Sequence, residues 1–311
     1  MLTPFRMTAA LAALTGVLSA GSVGCIETML LEGQIEATRR AATAIDTLQD
    51  FDVAKSVAFS GIGQFEGMHY LAPDNADALF MLTKGWAAGT FGFIEDDMEF
   101  AEDTEGLDSP LYLYHQARTR AGYDRAIHFG IMLLESKHEG FKEATKNDQT
   151  IRAWLTQFDD PEEDTQNLFW TAYAWMSKTN AVKEDPAVVA DLFIGVALME
   201  RAVELDETFM YGSGHTALGA YHARSGMAEL DLAKKHFDKA MELGKGKFLM
   251  AQLQYASKYH CLKADKESYE RLLNGVVEAG DVLPEQRLSN AIAKRRAKRY
   301  LGKERMKLCG F

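Results

Sequence analysis

Residues 168–176 read LFWTAYAWM: two tryptophans, a tyrosine, a phenylalanine and a methionine, with no charge among them. At 100° per residue, Phe169, Tyr173 and Met176 share one stripe of a helix, at i, i+4 and i+7. Trp170 and Trp175 lie five residues apart and point at different neighbours, while Leu168, Ala172 and Ala174 fill much of what remains. A helix apolar on nearly every side belongs inside the protein, between other helices. The stretch therefore sets the fold class as all-α and layered. At most one ring, Tyr173 or Trp175, is left as a candidate to reach a central cavity.

The chain on either side keeps a helical period, and convincing alternating strand segments are hard to find. The spacing predicts helices near 27–49, 53–71, 75–94, 110–136, 148–158, 164–180, 186–205, 209–224, 228–243, 247–262, 265–278 and 284–301. Five of the six prolines fit helix starts or loops, and the sixth, Pro4, lies in the leader. Asp74, Ser109 and Asp185 are suited to N-caps, with Pro110 and Pro186 at the first helical position. Short connections imply antiparallel hairpins.

A repeat is visible within this pattern. LAKKHFDKAMELG (232–244) places Ala233, Phe237 and Ala240 at the small–aromatic–small spacing that ends a tetratricopeptide unit, and Leu218–Gly219 precede it. Looser copies run through Gly61, Phe65 and Met68 and through Gly195, Met199 and Ala202. The expected architecture is one domain over 25–311, a degenerate tetratricopeptide-like solenoid. The glycines of SGIGQFEG (60–67) are read as helix-packing positions, since their spacing is not that of a dinucleotide loop.

Composition bounds the function. The chain has 311 residues, 47% of them hydrophobic, and a net charge of -11, which argues against nucleic acid as a partner. The charge is uneven. Residues 95–108 (EDDMEFAEDTEGLD) are acidic and expected to form a solvated interhelical loop, and 287–307 are basic, as for a solvated face or a cover over an acidic neighbour. At the N-terminus, MLTPFRM, an apolar run and GSVGC (21–25) make a signal peptide over 1–24. Cys25 after small residues is the expected site of lipidation, although Ser22 stands where leucine is usual, and plain secretion is the alternative. Cys261 and Cys309 are then left to pair or to remain buried thiols.

No chemistry-bearing motif emerges. YGSGH (211–215) lacks a nucleophile elbow, His215 and His222 lack a matching carboxylate pattern, and the acidic run does not follow a calcium-loop order. The expectation is a non-enzymatic protein with no cofactor and no metal. Tyr173, Trp175, Tyr211, His215 and Tyr221 are the candidates to contact a ligand or partner, against a plainer reading as packing residues.

The stretch 168–209 (LFWTAYAWMSKTNAVKEDPAVVADLFIGVALMERAVELDETF) resembles the T-component (TatT-like) family of TRAP-transporter-associated lipoproteins. The motif residues are Trp170, Ala172, Ala174 and Trp175, then Asp185–Pro186–Ala187 and the segment Ala197–Ala202. KKHFDKAMEL (234–243) and RLSNAIAKRRAKRYL (287–301) also look like this family. The resemblance implies a periplasmic lipoprotein anchored to the bacterial (outer) membrane, with tetratricopeptide-like hairpins. It further implies association with the solute-binding protein of a TRAP-type transporter and a small hydrophobic ligand; a homo-oligomer is left open. The alternative is a structural or assembly lipoprotein that scaffolds envelope components.

Overall fold

The computed structural model describes residues 28–224 and 228–311. The expected leader at 1–24 and Cys25 lie outside them. Every regular element among the described residues is helical, and none is long and apolar enough to cross a membrane. In chain order, α1 (28–42) passes through the 3-10 turn Thr43–Thr47 to α2 (Phe51–Leu71). Then come α3 (Ala76–Gly89), a π-helical turn at Thr90–Ile94, α4 (Glu95–Glu105), α5 (Pro110–Lys137), α6 (Phe141–Ala144) and α7 (Asp148–Leu155). After these follow α8 (Asp164–Ala181), α9 (Pro186–Ala190), α10 (Leu192–Leu205), α11 (Phe209–His222) and α12 (Leu230–Leu243). The chain closes with α13 (Leu249–Gln254), a second π-helical turn at Tyr255–His260, α14 (Lys266–Glu278), α15 (Arg287–Tyr300) and α16 (Lys303–Leu308).

The opening stretch forms the middle of α8, which is packed by α3, α5, α10 and α11. Leu168, Phe169, Trp170, Ala172 and Ala174 are all buried there. Close approach on two sides needs residues without a side chain. A Cβ on Gly130 of α5 would fall 2.5 Å from Thr171 Oγ1, and one on Gly195 of α10 would fall 2.9 Å from Trp175 Cβ. Gly195→Val is therefore expected to destabilise the protein by roughly 1–3 kcal/mol through overpacking. Urea denaturation measures this, and an unchanged midpoint would mean that α8 and α10 can move apart freely.

Capping follows the sequence at most positions. Ser109 and Asp185 accept from Tyr112 N and Ala187 N, with proline at the first position of α5 and α9. At α3 the cap is Asn75, accepting from Ala78 N, and not Asp74. The α11–α12 hairpin buries Ala233, Phe237 and Ala240, and a Cβ on Gly219 would lie 3.0 Å from the Phe237 ring.

Two expectations are corrected. Residues 95–105 are a helix, not a solvated loop, and Glu95 and Asp96 are buried. Seven acids in that run repel one another in isolation, but α15 and α16 supply the counter-charge. Asp96 receives Arg295 at 2.7 Å and Arg299 at 2.6 Å, and Arg305 reaches Glu102 at 2.7 Å. Burial by itself raises the Glu99 carboxyl; Arg296, Arg299 and Arg305 outweigh that and hold it at about 2. The basic helix is thus a cover over an acidic neighbour.

The second correction concerns SGIGQFEG. A Cβ on Gly61, Gly63 or Gly67 would meet nothing within 4 Å, so these glycines do not admit a neighbouring helix. What faces Gly61 instead is the interior cavity.

Candidate functional site

A cavity of about 1600 Å³ lies between the two halves of the chain, larger than the roughly 300–1,000 Å³ usual for small-ligand sites. It is bounded by α1, α2, α3, α8, α11, α13, α15 and the C-terminal residues, together with both π-helical turns. A π turn adds one residue to a helix and rotates the side chains that follow, and such turns recur at functional sites. The turn at Thr90–Ile94 presents Phe91 and Phe93 to the cavity, and the one at Tyr255–His260 presents Ser257 and Lys258.

The lining reads as stripes of small, polar and apolar residues on helices whose other faces are core. Along α8 it is Phe169, Tyr173, Ser177 and Asn180, at steps of three and four. On the helix containing α13 it is Met250, Gln254, Ser257–Lys258 and Cys261. On α2 it is Val57, Gly61 and Gln64. Aromatic rings form the apolar floor: Tyr173 meets Phe91 edge-on at 5.5 Å and stacks on Phe169 at 5.8 Å. Burial, with Glu95 adding to it, pushes the Tyr173 phenol well above its usual range, so it stays neutral.

The polar end is built by Arg296, 1% exposed, stacked over the Phe91 ring and donating to the Phe91 carbonyl. Arg296 Nη1 lies 3.4 Å from Glu95 and 3.6 Å from Glu99. Glu95 also accepts from the Tyr123 hydroxyl, and Glu99 from the Tyr300 hydroxyl at 2.8 Å. Burial raises the Glu95 carboxyl above its ordinary value, against the pull of Arg296. Near the C-terminus a disulfide joins Cys261 to Cys309, and both line the cavity with Leu308 and Gly310. The two cysteines left open by the sequence are therefore paired.

Of the five aromatic and histidine candidates, Tyr173 and Tyr221 line the cavity. Trp175 packs toward Gly195 and lies 6.1 Å from the Phe141 ring. Tyr211 stacks on Phe248 at 5.7 Å and donates to Glu285 at 2.9 Å. His215 faces outward to a second, shallower depression, with its Nδ1 2.9 Å from His236 Nδ1 and its Nε2 3.4 Å from Glu207. Burial, then the neighbouring His215 and His222, hold His236 down at about 4, so the pair meets as neutral rings. Among the described residues no group of three or more His, Cys, Asp or Glu side chains is placed to hold a metal ion. Among the family-motif residues, Ala174 is core, Trp170 is buried with an edge on the cavity, and Asp185 and Pro186 start α9.

The sequence reading missed Phe91, Phe93, Lys258 and Arg296. For Lys258 a signal was present in the semi-polar stripe Met250–Gln254–Ser257–Cys261 on its own helix, while nothing local marked Phe91, Phe93 or Arg296. A search of curated proteins returns no match. A family model described as TRAP transporter T-component matches residues 47–307. With most of its length so matched, the chain belongs to the TRAP transporter T-component family.

Proposed function

We propose that the protein is a non-enzymatic periplasmic lipoprotein, anchored through Cys25, that associates with the solute-binding protein of a TRAP-type transporter. In this reading it holds or hands over a small, largely apolar ligand. The observation that carries it is the cavity of about 1600 Å³, floored by Phe91, Phe93, Phe169 and Tyr173. Its lining, apolar rings with a few placed polar groups, is the kind that takes up small ligands. The helix pairs are taken as diverged tetratricopeptide-like hairpins, a reading supported by the tight Gly219–Phe237 approach. The second reading, an envelope scaffold, is favoured only by exposed apolar residues such as Phe100, Leu107 and Tyr114 at the tip of the α4–α5 hairpin.

Gly61 provides the test. It faces the cavity with open space where a side chain would grow, and it sits inside α2, where glycine is a poor helix former by about 1 kcal/mol relative to alanine. Gly61→Trp is expected to keep or raise thermal stability while lowering the capacity for N-phenyl-1-naphthylamine, a neutral apolar fluorophore. Wild-type protein that takes up no fluorophore would remove the ligand reading and leave the scaffold. Recovery of a periplasmic solute-binding protein with the chain from detergent-extracted membranes, and an acyl mass on Cys25, test the partner and the anchor.

A further inference from the structure

The cavity is electrostatically opposite to the molecule. The chain as a whole carries -11. Its cavity is lined by five cations, Lys84, Lys183, Arg224, Lys258 and Arg296, against three carboxylates, Asp46, Glu95 and Glu99. The carboxylates are spoken for. Asp46 faces Lys84 at 3.7 Å, and Glu95 and Glu99 are held by Arg296, Tyr123, Arg299 and Tyr300. Among the described residues, Lys183, Arg224 and Lys258 have no carboxylate within ion-pair distance. Lys183 is exposed and solvated, and Arg224 lies over the Tyr221 ring and donates to its carbonyl. Lys258 is different: it is half-buried on the π turn, and its ammonium has no hydrogen-bond or ion-pair partner among the described residues.

We propose that Lys258 is the anchor for the carboxylate of an otherwise apolar ligand, with the chain of that ligand lying along Phe91, Phe169 and Tyr173. The inference rests on the reading of the cavity as a ligand site and adds the ligand's chemical class. A half-buried ammonium without a counter-ion carries a desolvation cost, and a carboxylate delivered by a ligand supplies the missing partner. Burial lowers the Lys258 pKa, and Glu99 and Glu95 oppose that at a distance. Those two carboxylates also set the charge of the head group, since a dianion such as a phosphate monoester would be repelled by both while a monoanion is balanced by Lys258.

The experiment compares dodecanoate, dodecanol and dodecyl phosphate as displacers of N-phenyl-1-naphthylamine at pH 7, in wild type and in Lys258→Met. In wild type, dodecanoate is expected to displace the probe at about tenfold lower concentration than dodecanol, the scale of one charge-assisted hydrogen bond. In Lys258→Met the two should converge with dodecanol unchanged, and Lys258→Arg should restore the preference. Removing an unpaired cation is not expected to lower the melting temperature, and Lys258→Gln repeats the comparison if methionine disturbs the turn. Equal displacement by acid and alcohol in wild type overturns the anchor while leaving the cavity reading intact. So does a preference that survives in Lys258→Met, or dodecyl phosphate outcompeting dodecanoate. A wild type that never binds the probe or any of the three compounds removes the cavity reading, and the anchor with it.

Discussion

Arg296→Met should lower stability by about 3–5 kcal/mol, the cost of breaking a buried ion pair from one side. Arg296 is 1% exposed and lies between Glu95, Glu99 and the Phe91 carbonyl. Without it Glu99 keeps Arg299 and Tyr300, but Glu95 is left with the Tyr123 hydroxyl alone. Glu95 is therefore the orphan, and Glu95→Gln in the Arg296→Met background should recover part of the loss. Burial already raises the Glu95 carboxyl above its ordinary 4.5, and removing Arg296 raises it further. A carboxyl raised in the folded state destabilises at high pH and ceases to do so once protonated. The deficit of Arg296→Met should accordingly be largest at pH 7 and above, and shrink as pH falls through the raised Glu95 value toward 4.5. Urea midpoints at pH 7 and pH 5 measure this. A deficit under about 1 kcal/mol at pH 7 would show that water reaches Glu95 freely.

The second large effect concerns the disulfide. Cys261 and Cys309 are 48 residues apart, and cross-linking a loop of that length is worth about 4 kcal/mol in the chain-entropy account. The double variant Cys261→Ser/Cys309→Ser should lose stability on that scale, and wild type in a thiol reductant should behave alike. The loss should be accompanied by faster release of an apolar probe, because Leu308, Cys309 and Gly310 close one side of the cavity. Arg305, paired with Glu102 and Asp103, still holds α16 on α4 in the variant, so the protein should remain folded at room temperature. Identical melting curves with and without reductant would mean that these ion pairs alone fix the C-terminus.

Much of the fold was legible because it depends on local rules. LFWTAYAWM is apolar all round, and Leu168 to Ala172 and Ala174 are buried, while Tyr173, Trp175 and Met176 are half-buried, Tyr173 and Met176 on the cavity. Ser109–Pro110 and Asp185–Pro186 carry their helix-start signals in two residues each, and the structure uses both. What could not be read depends on partners far along the chain. The acidic run looks like a solvated loop until the arginines of α15, about 200 residues later, are placed against it. Gly61 looks like a packing glycine because one sequence does not show whether a helix or a void lies opposite. Met210 and Tyr211 adopt left-handed backbone, φ 45° and 60°, ahead of Gly212 at 80°, and no residue type there announces it beyond the glycine. Lys258 was passed over for a similar reason. A lysine on a helix is ordinarily at the surface, and only a rotated turn inside a cavity makes it unusual.

The stitching of α4 to α15 also sets an order of events in time. Phe91, Glu95 and Asp96 find their partners 199 to 205 positions downstream. Contacts so distant slow folding, because the intervening chain must be brought round before any of them forms. During synthesis, Asp97 of α4 has Lys55 and Arg118 at hand, but Asp96, Glu99 and Glu102 wait for their arginines until almost the whole chain has been made. The cavity is incomplete for the same interval, since α15 and the C-terminal residues are part of its boundary. A chain cut short before Arg287 would lack the part of that boundary that α15 and the C-terminal residues supply. Completion of the chain and closure of the cavity boundary therefore arrive together, at the last helices to be made.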